Sequence, residues 1–290
     1  QTFEPTLREL VRRAEAEAGY RIDEIWLLEA VNQGDSALVN GSRLPTLFDW
    51  KDHTRDHLNF FLNYLPETVS AQPLPTLLER VPDAVADARR VRGFPQRKLV
   101  AIGHSLGGST LALAAYYYPA LFAGLVLVDP VIAPVGHETH ALKIGYASGA
   151  LSRRETWPSR EEAHKLLRAS PFFGAWEPEV LKLYVEHGLT PDGSGVRLKT
   201  TGFQEAATFA DTLTRQEAWT AVGQIDERIP LKWLCAETAA KGCVEIERQR
   251  VWLRPENASN ARVPGAGHLI VQERPRELGR SLCLGWVVRC

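Results

Sequence analysis

The chain reads as an α/β protein: a mostly parallel sheet with helices on both faces and a helical cap inserted between two of its strands. Stretches of helical periodicity alternate with short apolar runs along most of its length, the pattern of strands joined by crossover helices. The rhythm breaks between Ile132 and Gln224, where helical patterns and aromatic residues crowd together, and then resumes. A Gly-x-Ser-x-Gly motif lies between one of the apolar runs and the helix that follows it.

Taken in order, Thr6 to Gly19 predicts an amphipathic helix with Leu7, Leu10, Val11 and Ala14 on one face. Ile22 to Glu29 is strand-like and ends at the polar turn Asn32-Gln33-Gly34-Asp35-Ser36. Helices are expected over Asp49–Leu62 and Thr76–Val91, a strand over Lys98–Gly103, a helix from Ser105 to Tyr118, and a strand over Gly124–Val128 stopped by Asp129-Pro130. The middle carries Trp157, Phe172, Phe173, Trp176, Tyr184 and Trp219 in exposed-looking contexts. Beyond it, Leu231–Ala236 and Arg250–Leu253 read as strands and Pro275–Val287 as a last helix. The pattern divides into a core of residues 1–131 and 225–290 and a cap of residues 132–224.

The run Leu99-Val100-Ala101-Ile102-Gly103-His104-Ser105-Leu106-Gly107-Gly108 carries the chemistry. A serine at a sharp strand-to-helix turn has a strained backbone, and the turn lifts its hydroxyl to the carboxyl end of the sheet. Side chains at Gly103 and Gly107 are expected to collide with the neighbouring strand and helix. The Leu106 N–H, at the helix N-terminus, would face an oxyanion forming on a substrate attacked by Ser105. Chance would supply roughly 0.07 such motifs in a chain of this composition, before any demand for strand and helix context. A tight turn without chemistry is the competing reading.

The motif, the strand end Leu125 to Pro130, the cap, and Gly265-Ala266-Gly267-His268 together resemble the α/β-hydrolase superfamily over most of the chain. Ile25-Trp26, Val31 to Ser36, Phe48-Asp49-Trp50 with Arg55-Asp56, and Gly267 to Pro275 resemble, more narrowly, fungal hydrolases of the toxin-biosynthesis and peroxisomal-lipase type. The resemblance implies the α/β-hydrolase fold and an order of serine, acid, histidine along the chain. His268 then takes the part of the general base that a serine nucleophile needs. Two carboxylates compete for the acid. Glu237 follows the strand after the cap, where the superfamily's usual acid position holds Ala239; Asp129 ends the strand after the nucleophile helix, as in some lipases and lactone hydrolases of this fold. We rank Asp129 first.

The remaining histidines have plainer readings. His104 is expected to pack away from the serine, and His53 and His57, four residues apart with no third ligand apparent, to lie on a solvated helix face rather than at a metal. His137, His140, His164 and His187 scatter through the cap as surface residues. The superfamily takes its second oxyanion donor from a loop after an early strand, and this chain opens directly into a helix. The first strands are therefore expected to be missing, with a gap beside the Lys98 strand, as in a piece of a longer protein.

With 34 Lys and Arg against 35 Asp and Glu, the net charge of −1 gives no electrostatic footprint for nucleic acid. No run of about 18 apolar residues offers an integral membrane segment. Cys235, Cys243, Cys283 and Cys290 form no CxxC pair and read as free thiols of a reducing, intracellular compartment, cytoplasmic or peroxisomal. The expected function is a serine hydrolase cleaving an ester or lactone of a hydrophobic small molecule through an acyl-enzyme, with no metal or organic cofactor. Thioesterase, C–C hydrolase and lyase chemistry on the same triad stay open, as does a binding module that has lost catalysis.

Overall fold

The computed structural model describes residues 1–17, 20–70, 72–137, 140–238 and 244–282. The first part of the chain holds helices α1 (Glu4–Glu17), α2 (Gly34–Asn40), α3 (Trp50–Asn63) and α4 (Asp83–Arg92). Strand β1 (Val100–His104) then leads directly into helix α5 (Leu106–Tyr117), and β2 (Gly124–Val128) follows. Asp49 starts α3 by accepting from the Lys51 N–H, a side-chain cap for one of the helix's unpaired donors.

Between β2 and the next core strand lie α6 (His140–Ser152), β3 (Thr156–Trp157), α7 (Arg160–Ala169), α8 (Pro171–Gly174), α9 (Pro178–Gly188), β4 (Leu189–Asp192), β5 (Gly195–Leu198), α10 (Gly202–Ala210) and α11 (Thr214–Val222). The chain returns through β6 (Leu231–Ala236), α12 (Val244–Val251), β7 (Ala258–Val263), α13 (Ile270–Glu273) and α14 (Pro275–Ser281). Strands β1, β2, β6 and β7 form a parallel sheet in the order β1-β2-β6-β7. Strands β3, β5 and β4 make a small antiparallel sheet that the sequence pattern did not announce.

The central strands β2 and β6 are buried on both faces, and their alternation shows which residue serves which. Leu125, Leu127, Leu231 and Trp233 pack with Leu58, Phe61 and Leu113 on one face. Val126, Val128, Leu234 and Ala236 pack with Leu10, Ile270 and Leu278 on the other. A strand covered on both sides must be apolar at every position, and β2, Gly-Leu-Val-Leu-Val, is buried throughout.

Several elements differ from expectation. Residues 21–30 carry no strand pairing: β1, the strand they would approach, bonds only to β2 among the described residues. The segment is held instead by the Arg97–Glu24 ion pair at 2.7 Å and by Trp26 against Phe60 at 5.1 Å. Ile25 and Leu27 stay exposed, lining a groove of about 580 Å³ with Leu7 and Val11. The turn at Asn32–Ser36 opens α2 rather than ending a strand. The Thr76 helix begins only at Asp83, because Pro82 lacks an N–H and favours extended backbone before it, and the Val81 N–H bonds to the Asn63 carbonyl. Arg250–Leu253 is not a strand: Arg250 and Val251 end α12, and Trp252 points to solvent at 72 % exposure. The strand is Ala258–Val263, an edge strand mostly exposed and correspondingly polar, which gives it no apolar signal. Cys235 is buried and free; Cys243, Cys283, Cys290, Ala239 and the last residues of the expected C-terminal helix lie outside the described residues. No helix among the described residues is long and apolar enough to cross a membrane.

The strand-to-helix turn depends on glycine at two positions. A Cβ on Gly103 would sit 2.3 Å from the Gly107 carbonyl oxygen, and one on Gly108 would sit 2.5 Å from the Pro130 Cβ. Gly107 has open space instead, so the expected collision there is corrected to Gly108. The outcome follows: Gly103→Ala and Gly108→Ala lower stability by about 1–3 kcal/mol or more, whereas Gly107→Ala, inside a helix, gains up to about 1 kcal/mol. Denaturant midpoints of the three variants check the contrast, and a Gly107→Ala loss equal to that of Gly103→Ala overturns it.

His53 and His57 do not face solvent. Both are buried on the inner side of α3 with rings 4.0 Å apart, and the Nδ1 of each makes no hydrogen bond among the described residues. Burial holds His53 down at about 4 and His57 well below its usual range, the latter helped by His53. A histidine whose folded value is depressed keeps the unfolded chain as the better proton acceptor. Stability is therefore full above the unfolded value near 6.5 and falls as pH drops toward the folded value, His53 alone costing about 2 kcal/mol by pH 5 and His57 adding in the same direction. Urea titrations across that window should show the decline, and a His53→Leu/His57→Leu double variant should flatten it; equal slopes would sink the assignment.

Candidate active site

Ser105 sits between β1 and α5 at φ 55°, ψ −120°, a conformation that costs a non-glycine residue about 1–3 kcal/mol. Hydrogen bonds over-determine it. The Ser105 N–H donates to the Val128 carbonyl at 3.1 Å, and the Ser105 carbonyl accepts from the Gly108 and Val131 N–H groups, each at 3.1 Å. Ser109 donates its hydroxyl to the Val131 carbonyl at 2.5 Å, tying α5 to the chain after β2. Leu106 is the first residue of α5, so its N–H belongs to those a helix cannot pair internally. Its side chain packs beside Ala30, Phe48, Trp50 and Ala207, which brings residues near the Asn32 turn and α10 to the site.

Ser105, Asp129 and His268 come together. The Ser105 Oγ is 3.0 Å from His268 Nε2, and His268 Nδ1 is 2.6 Å from Asp129 Oδ2. Donation from Nδ1–H to the carboxylate leaves Nε2 free to accept the serine proton. Asp129 also lies at positive φ, 38°, and is buried. Burial pushes its carboxyl up, but the His268 hydrogen bond and charge, the Arg250 charge and the Ala236 N–H outweigh burial and hold it below the usual carboxylate range. Glu237 points elsewhere: its Oε2 accepts from the Gly265 N–H at 2.7 Å, bracing the loop that carries His268.

That loop is pinned at several points. The Ala266 carbonyl accepts from the Glu237 and Thr238 N–H groups at 3.0 and 3.2 Å, and the Gly267 N–H donates to Glu273 at 2.6 Å. His104 contributes as well, contrary to the packing role expected of it: its Nε2 lies 2.7 Å from the His268 carbonyl oxygen. A carbonyl only accepts, so His104 carries its proton on Nε2 there. Burial, with the nearby His268, holds His104 at about 4, which keeps it neutral. Sequence reasoning missed this contact and also Arg250, which lies behind Asp129 in a segment that read as a strand; the signal available was a motif histidine beside the serine.

His137, His164 and His187, between β2 and β6, are half-buried, and the His140 side chain lies outside the described residues. Among the described residues no group of three or more His, Cys, Asp or Glu side chains is placed to hold a metal ion.

Comparison with known proteins agrees with this architecture. The chain is 26 % identical over 234 residues to an abhydrolase domain-containing protein of Alternaria alternata, covering 66 % of this chain and 87 % of the relative. It is 27 % identical over 265 residues to a type I acyl-CoA thioesterase of Penicillium brevicompactum, covering 86 % of this chain but only 51 % of that protein. The peroxisomal alpha-beta-hydrolase of Saccharomyces cerevisiae superposes with a TM-score of 0.73 at 23 % identity, over 97 % of this chain and 70 % of the other, a likeness of fold. The narrower sequence resemblance to fungal hydrolases is thus matched by fungal relatives. The model of the alpha/beta hydrolase family matches residues 13–280, and the chain belongs to that family.

Proposed function

We propose that the chain is a serine hydrolase that cleaves an ester or lactone of a hydrophobic small molecule, with residues 132–224 as the cap over the site. The carrying observation is the continuous relay from Ser105 Oγ through both ring nitrogens of His268 to Asp129, at 3.0 and 2.6 Å. His268 Nε2 takes the hydroxyl proton as Ser105 Oγ bonds to the carbonyl carbon, and the developing oxyanion meets the Leu106 N–H. The imidazolium then returns the proton to the leaving oxygen as the acyl bond breaks. Water, deprotonated by His268, releases the acid and restores Ser105. Asp129 holds the ring in the tautomer this needs and stabilises the imidazolium.

A thioester substrate is a second reading, supported by the relative named as an acyl-CoA thioesterase. The same relay serves it, since only the leaving atom changes. Parallel assays with an aryl ester and an acyl thioester of equal chain length separate the two by kcat/KM.

Labelling with a fluorophosphonate should mark Ser105 in the wild type, and Ser105→Ala should abolish both labelling and ester turnover, by more than about 10³-fold, with the fold intact by circular dichroism. A wild type that resists labelling would instead identify a binding protein on a hydrolase scaffold. Asp129→Asn should lower kcat by about 10³-fold or more, because the amide favours the wrong tautomer; Glu237→Gln should stay within about tenfold of wild type. The opposite ranking would make Glu237 the acid.

A further inference from the structure

Behind Asp129, on the side away from His268, lies a buried guanidinium. Arg250, on α12, is 6 % exposed. Its Nη1 donates to the Pro130 carbonyl, and its Nη2 is 3.9 Å from Asp129 Oδ1, the oxygen that also accepts from the Ala236 N–H at 3.3 Å. The Arg250 Nε and Nη2 make no hydrogen bond among the described residues, and the guanidinium carbon lies 5.9 Å from the Trp233 ring. An incompletely bonded buried cation is expensive, and an apolar side chain of similar volume would serve packing better.

We propose that Arg250 is a positioning residue for the proposed catalytic acid: it fixes the Asp129–Pro130 turn through the Pro130 carbonyl and places a positive charge beside Asp129 Oδ1, leaving Oδ2 turned to His268. The proposal rests on the hydrolase reading of the Ser105 site. The charges around Asp129 single out this residue. His268 faces it from the loop after β7, His104 from β1, Cys235 from β6, and Arg250 and Glu247 from α12. Glu247 is engaged by Arg262 of β7 at 3.3 Å, and Arg262 also donates to the Ala236 carbonyl at 2.5 Å. With Arg262 committed to Glu247, Arg250 is the cation that balances Asp129 when His268 is neutral.

The sign of the effect follows. Arg250 disfavours a second positive charge at the Asp129–His268 pair, so its removal lets the pair hold a proton to higher pH. In Arg250→Met the acid limb of the phosphonate labelling rate should move up by about half a pH unit or more. On an aryl ester kcat should drop about tenfold or more with KM within about threefold. Arg250→Lys, which keeps the charge, should leave the limb in place even where the rate falls. Glu247→Gln removes a negative charge from the same group and should move the limb down or leave it, never up. A purely structural role would lower the rates of all three with the limb unmoved, and that result overturns the proposal.

Nuclear magnetic resonance titration of the His268 ring in the same proteins reads the shift without turnover. An upward shift in Arg250→Met together with an unlabelled wild type would sustain the Arg250 assignment and sink the hydrolase reading. Labelling with no ring shift would do the reverse. If Arg250→Met does not fold, Arg250→Gln, neutral but able to donate to the Pro130 carbonyl, takes its place in the same titration: an upward shift of the His268 ring upholds the proposal and an unmoved ring overturns it.

Discussion

The register of two parallel strands is the constraint on which the site depends. β1 and β2 pair with His104 opposite Val128, so the next residue of each strand, Ser105 and Asp129, leaves the sheet side by side. Both are non-glycine residues at positive φ. The crossover between them is α5, whose N-terminus begins where the serine turn ends, so one βαβ unit supplies the proposed nucleophile, the proposed acid and the proposed oxyanion donor. A slip of one residue would turn every β2 side chain to the opposite face, and that strand is buried on both faces by two different clusters. The apolar core thus sets the spacing of Ser105 and Asp129, and the strain at both is balanced by the hydrogen bonds that cross between the two turns.

The proposed base comes from farther away. His268 follows β7, two strands beyond β2, and its loop must lean back over the end of β6. Glu237 and Thr238, at the end of β6, hold Ala266 and Gly265, and His104 reaches across to the His268 backbone. Glu237 therefore shapes the site by bracing the loop through its backbone, a role that accounts for an acidic residue at that position without placing it at the imidazole.

What the sequence disclosed and what it hid divide along physical lines. The serine turn was legible because its geometry demands glycine at Gly103, and the central strands because burial on both faces demands continuous apolar runs. Asp129 was legible through its place at a strand end before a proline. The exposed edge strand β7 carried no apolar signal, and the apolar Val251 and Leu253 nearby drew the strand expectation to the wrong segment. Residues 22–29 have strand composition, but a strand is a pairing, and β1 has no second partner among the described residues. His104 and Arg250 were misjudged for one reason: such a polar side chain is known by its partners, and those partners, the His268 and Pro130 carbonyls, lie 164 and 120 residues away.

The aromatic residues between β2 and β6 invite a similar revision. Trp157 and Trp176 are buried, and they form a core of the segment's own with Val180, Leu181 and Leu189, against which Phe173 and Tyr184 pack. Most of this aromatic surface is therefore spent on holding the helices and the small sheet together, and Phe172, 59 % exposed, is the ring of that cluster left to solvent. The same core includes Leu269 at its margin, and the Glu177 N–H donates to the Gln272 carbonyl at 2.8 Å. Leu269 is the residue after His268. The segment between β2 and β6 is thus joined, through Leu269 and Gln272, to the stretch of backbone that carries the imidazole, so its packing helps to fix where His268 stands.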